Sequence, residues 1–143
     1  MANYNCATTA NWFKVKDEQK FRDLMARVYA TDGEIEVATM EHDGQTLFSF
    51  GCYGSICGLR NANADDDDDC DESAYDEFIS GLQECVAEDD AIVIFESGHE
   101  KLRYVNGFCE VITAQEYKVA NLHNMAKELA SSMLGNPEFA IIV

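Results

Sequence analysis

Cys52 and Cys57 are separated by four residues, and Cys70 follows thirteen positions later. Thiolates converging in space are what tetrahedral zinc requires. A fourth ligand for Cys52, Cys57 and Cys70 would come from Cys109, His99 or a carboxylate. The spacing lacks the tight paired knuckles of zinc ribbons. The competing reading of the six cysteines is reduced thiols used as small apolar side chains, and Cys85 suits it by falling on a helical apolar stripe.

Around Cys70 the residues change character. Asn61 to Glu100 holds fifteen carboxylates and not one Lys or Arg, while the whole chain carries −17. The other 103 residues hold twelve acids and ten bases. The density peaks at Asp65, Asp66, Asp67, Asp68, Asp69, Asp71 and Glu72 and continues through Asp76, Glu77, Glu84 and Glu88. A calcium loop started at Asp65 would put Cys70 where the sharp turn wants Gly, and Asp76 where a bidentate Glu belongs. No helix enters such a loop, so delocalised cation binding is the better reading.

The reactive groups form no recognisable catalytic set. There is no G-x-S-x-G, P-loop, H-E-x-x-H or C-x-x-C. Gly51, Gly54 and Gly58 read as tight turns, because no helix follows them directly to hold a phosphate. His42 and His99 fall at two predicted hairpin tips, and His123 opens the last helix. The expectation is a protein that is not an enzyme and has no cofactor, apart from the zinc alternative.

The elements that would position these groups follow from periodicity. Asn5 to Val15 reads as a strand. Asp17 caps a helix over about 17–30, with Phe21, Leu24, Met25 and Val28 on one face. Strands over 34–40 and 46–53 flank an Asp43-Gly44 hairpin turn. Ser73 and Asp76 resemble a capping box for a helix over 74–87, whose stripe is Tyr75, Phe78, Ile79, Leu82, Cys85 and Val86. Ala91 to Phe95 is a buried strand, Ser97-Gly98-His99 a turn, and Leu102 to Thr113 the return strand. Asn121 caps a third helix bearing Leu122, Met125, Ala126, Leu129 and Met133, which Gly135 stops. Phe139 to Val143 is a candidate edge strand.

The order β-α-β-β-α-β-β-α predicts a single α+β domain over residues 1–143. One mostly antiparallel sheet would carry three helices on one face. An acidic loop over 61–73 would separate two helix-hairpin units, an α-β-β pseudo-repeat. An apolar content of 47% suits a folded core. No run of about 18 apolar residues is present, and the first residues lack the basic start and apolar stretch of a signal peptide. The expected location is the cytoplasm.

A field this negative repels nucleic acid and anionic membrane and attracts basic grooves. The acidic segment reads either as a solvated loop that aids solubility or as a nucleic-acid mimic. B-DNA presents one negative charge per roughly 1.7 Å of its axis. A run of aspartates continuing onto a helix can approach that density on a folded support.

Several stretches resemble a family of small acidic proteins carried by phages and other mobile elements of gut and related bacteria. They are Asn3 to Lys16 with Phe21 to Tyr29, Phe50 to Ile56, Asp71 to Ile79, and Met133 to Glu138. The resemblance implies a setting similar to that of anti-CRISPR and antirestriction inhibitors, several groups of which act as DNA mimics. It implies host-defence evasion in a bacterial cytoplasm, with a Cas9-type effector or another basic nucleic-acid-binding protein as partner. The acids named above, from Asp65 to Glu88, would form the partner surface, with no direct nucleic-acid or membrane contact. The alternative is a zinc-stabilised protein-binding module whose partner surface lies elsewhere.

Overall fold

A computed structural model describes residues 4–60, 72–102 and 104–142, with Glu72 described by its backbone alone. Its elements in chain order are β1 (Asn5–Ala10), α1 (Glu18–Met25), β2 (Val28–Ala30), β3 (Glu36–His42), β4 (Gln45–Tyr53) and β5 (Ile56–Leu59). There follow α2 (Glu72–Cys85), β6 (Ile92–Glu100), β7 (Tyr104–Ile112), β8 (Tyr117–Asn121) and α3 (Leu122–Leu134). Six strands form an antiparallel sheet in the order β3-β4-β1-β6-β7-β8, and β2 and β5 pair as a small second sheet. The expected α+β architecture, a mostly antiparallel sheet with three helices, is present. The hairpins β3–β4 and β6–β7 flank β1 on either side.

Alternation along the strands turns Ala10, Phe48, Phe50, Ile92, Ile94 and Ile112 toward one face, where all are buried. Phe78, Ile79, Leu82 and Cys85 of α2 cover that face. Phe13 and Phe21 complete it: Phe13 packs edge-on against Phe21 at 5.5 Å and Phe50 at 5.9 Å, and Phe50 against Phe78 at 6.1 Å. Edge-to-face pairs suit the ring quadrupole and lock the helices in register with the sheet.

Several expectations change. The strand predicted over 5–15 ends at Ala10. Asn11 then substitutes its side chain for a strand neighbour, donating from Nδ2 to the Ala91 carbonyl at 3.1 Å and accepting from the Val93 amide at 2.8 Å. The first helix stops at Met25, because Val28 and Tyr29 enter β2 and pair with Leu59 and Gly58. Their β-branched and aromatic side chains favour a strand once a partner is at hand. That partner, β5, lies in the glycine-spotted stretch expected to be turns. Gly58 has φ +130, and a Cβ there would come within 2.6 Å of the Ala74 and Tyr75 backbone, so only glycine lets β5 lie this close to α2.

A further change concerns Ser97-Gly98-His99, which does not turn the chain. All three lie in β6, opposite Gly107, Asn106 and Val105. A Cβ on Gly98 would meet Cys6 Cβ at 2.5 Å and the Asn5 carbonyl at 2.6 Å, so this glycine serves the approach of β1. His99 therefore sits within a strand, away from the hairpin tip.

Other signals hold their places. Asp43 and Gly44 both have positive φ, 52 and 77, as a two-residue hairpin turn requires. Asp17 caps α1 by accepting from the Lys20 amide, and Asn121 caps α3 by accepting from the Asn124 amide at 2.8 Å. Gly135 ends α3 in the left-handed conformation. α2 begins at Glu72, so Ser73 lies in its first turn rather than before it. β8 is a strand beyond the expected order, and residues 139–142, the candidate edge strand, form none.

The helices do not share one face. α1 and α2 lie over the core. Leu122 of α3 sits over Gly107, on the opposite face beside Phe95 and Cys109.

Candidate partner interface and the inward carboxylates

Asp65 to Asp69, Cys70 and Asp71 lie outside the described residues, as does the side chain of Glu72. The predicted partner surface is therefore visible at Asp76, Glu77, Glu84 and Glu88. Asp76 and Glu77 project outward because the helical period turns Phe78, Ile79 and Leu82 inward. They are the fifth and sixth residues of α2, in its second turn, beyond the first turn where the helix dipole acts on charge. Together with Glu84 they line a groove of about 530 Å³ between α1 and α2, which also holds Asp23, Lys20 and Arg27. Four carboxylates thus face two cations.

The two ends of this surface differ. At the C-terminal end of α2 the acids are answered from within the chain. Lys20 pairs with Glu84 at 3.2 Å, Lys16 with Glu88 at 3.1 Å and Lys14 with Asp89 at 2.7 Å. The Lys14 hydrogen bond holds the Asp89 carboxyl below its usual range, and the Glu84 hydrogen bond raises the Lys20 ammonium. At the N-terminal end, Asp76 and Glu77 form no ion pair among the described residues. Uncompensated charge thus concentrates at the end of α2 nearest the Asp run in sequence.

The expected zinc trio meets a different chemistry. Cys57 is buried and disulfide-bonded, which corrects the expectation that all six cysteines are thiols. A disulfide sulfur is no thiolate, so this trio would need reduction before it could bind metal. Cys52 is a thiol whose Sγ donates to the Gly54 carbonyl at 3.7 Å. Burial pushes the Cys6, Cys52 and Cys85 thiols up, away from the thiolate form. Among the described residues no three His, Cys, Asp or Glu side chains are grouped as a metal would need.

The most buried acids among the described residues lie elsewhere. Glu96 and Glu110 lie on the inward face of β6 and β7, 9% and 5% exposed. Glu110 accepts hydrogen bonds from two phenols, Tyr117 at 2.5 Å and Tyr75 of α2. Burial, and then the bond to Glu110, pushes both tyrosine hydroxyls well above their usual range. The signal for these acids was present. Glu96 keeps step with Ile92 and Ile94, and Glu110 with Ile112, so each shares the inward register of a buried strand.

No helix among the described residues is long and apolar enough to cross a membrane. Comparison with protein-family models, with curated proteins and with solved structures finds no match to this chain.

Proposed function

We propose that the chain is a non-catalytic binding protein that docks the N-terminal half of the α2 face onto a basic, nucleic-acid-binding surface of another protein. The observation that carries this reading is the placement of Asp76 and Glu77. They are exposed, form no ion pair among the described residues, and are mounted on a helix whose other face is fixed in the core. A rigid array of carboxylates meets Lys and Arg with little ordering cost and displaces the counter-ions that a phosphate backbone would displace. The acids at the other end of α2 are held by lysines of the same chain, so they contribute less to a partner. The resemblance to mobile-element proteins directs the choice of target to a defence effector, with a Cas9-type enzyme and its basic heteroduplex channel as first candidate.

Order of addition tests this. Protein added to an effector–guide complex before DNA should block cleavage, and protein added after DNA should block it less. Replacing Asp76→Asn and Glu77→Gln together should weaken binding and reduce the salt slope by about one unit per charge removed. Unchanged affinity and slope in the double variant would remove α2 from the interface. Lack of inhibition in either order would remove that effector as the target.

A further inference from the structure

Behind α2, on the core side of the sheet, lies a second concavity of about 280 Å³, separate from the groove between the helices. Thr8, Ser55, Tyr75, Glu96, Phe108 and Glu110 line it. Glu96 pairs across the ladder with Phe108, and Glu110 with Ile94. The two carboxylates are thus diagonal neighbours on one face of adjacent strands, within side-chain reach of one another. Both are more than nine-tenths buried. Among the described residues no Lys, Arg or His lines the space.

The two acids are not equally satisfied. Each oxygen of Glu110 receives a tyrosine hydroxyl. Among the described residues Glu96 receives only the Thr8 hydroxyl, at 3.4 Å, and that hydroxyl also donates to the Gly54 carbonyl at the shorter 2.8 Å. A buried carboxylate with one long, shared hydrogen bond is poorly compensated. A cation entering the cavity would supply what Glu96 lacks.

We propose that this cavity binds the head of a small alkylammonium or alkylguanidinium group, with Glu96 as its charged anchor and the rings of Tyr75 and Phe108 as its walls. Aromatic faces beside a carboxylate suit an organic cation, which gains from both the ring quadrupole and the charge. A divalent metal fits poorly. Calcium takes six to eight oxygens, and both oxygens of Glu110 are already engaged. The volume suits a short aliphatic cation rather than a nucleotide or a larger cofactor. The same head group can arrive as a free small amine or as the Lys or Arg side chain of a bound polypeptide. The inference is independent of the α2 surface and stands or falls without it.

Calorimetric titration of the purified chain with n-butylguanidinium, n-butylammonium and neutral n-butylurea provides the test. The cations should bind and the urea should not. Glu96→Gln, which keeps shape and removes charge, should weaken cation binding by roughly tenfold or more. Amide chemical shifts in the unaltered protein keep the test open if that variant fails to fold. With n-butylguanidinium they should move at Thr8, Ser55, Glu96, Phe108 and Glu110. A blocked Gly-Arg-Gly peptide that binds as well as n-butylguanidinium identifies a polypeptide side chain as the source, whereas its exclusion identifies a free small cation. The proposal is overturned by no cation binding, by equal binding of urea, by undiminished affinity in Glu96→Gln, or by shifts confined to the outer acids of α2.

Discussion

Helices α2 and α3 carry similar apolar stripes and meet opposite fates. On α2, Phe78, Ile79, Leu82 and Cys85 are buried to 5% exposure or less, whereas on α3 Leu122, Met125, Leu129 and Met133 are all at least half exposed. The difference lies across from each helix. The inner face offers α2 large, closely packed partners in Phe48, Phe50, Ile92, Ile94 and Ile112. The outer face offers α3 Gly107, Cys109, Ala120 and a half-exposed Phe95. Helical periodicity fixes which face of a helix is apolar. How much of that face leaves water depends on the side chains that the sheet presents to it.

Four measurements would break or sharpen this contrast. The largest effect should come from Phe78→Ala, which empties the ring contact with Phe50 and should cost about 3–5 kcal/mol in chemical denaturation. A loss below about 1 kcal/mol, the size expected away from a packed core, would mean that α2 does not anchor the core. Alkaline pH comes next. Tyr75 ties α2 to Glu110, and its hydroxyl is held protonated above the ordinary value of 10.0. The folded state therefore binds a proton that the unfolded chain releases above about pH 10, so stability is full below that pH and falls as pH rises further. Stability that stays flat there would argue against the Tyr75–Glu110 bond. Tyr75→Phe should flatten part of the loss.

Asn121→Ala removes the cap of α3 and should cost about 1 kcal/mol, read as faster amide exchange confined to that helix. Protection lost equally in α2 would show that the helices unfold as one unit. Smallest of all, Met133→Ala should change stability by no more than about 0.5 kcal/mol. A loss near that of Phe78→Ala would show that α3 is covered in solution by something the isolated chain does not display.

Much of this organisation was legible in the residues. The stripe of α2, the Asp43-Gly44 turn and the caps Asp17, Asn121 and Gly135 are local signals, and each has its expected role. β2 and β5 were not legible, because two short strands separated by 25 residues become strands only on meeting each other. Gly98 misled because glycine marks both turns and close backbone approach. The outward direction of Asp76 and Glu77 could be read from period alone. The lysines that answer Glu84 and Glu88 could not, since those pairs join residues 64 and 72 positions apart. Glu96 and Glu110 were passed over because an acid in a strand is read as solvated. Their register with isoleucines was the better guide.

Among the described residues the sheet stays open at both ends, with β3 and β8 as its margins. Outer main-chain amides and carbonyls of such margins are templates on which another chain can grow a strand. β3 is seven residues long and mostly exposed, and its defence is the pair of carboxylates Glu36 and Glu41. Two copies approaching along β3 at neutral pH bring like charges together, on molecules that each carry −17. As the pH falls toward the isoelectric point of about 4.2, the net negative charge that keeps the molecules apart vanishes. Acidification should therefore turn a dispersed protein into one that stacks edge to edge, with light scattering rising as the solution approaches that pH.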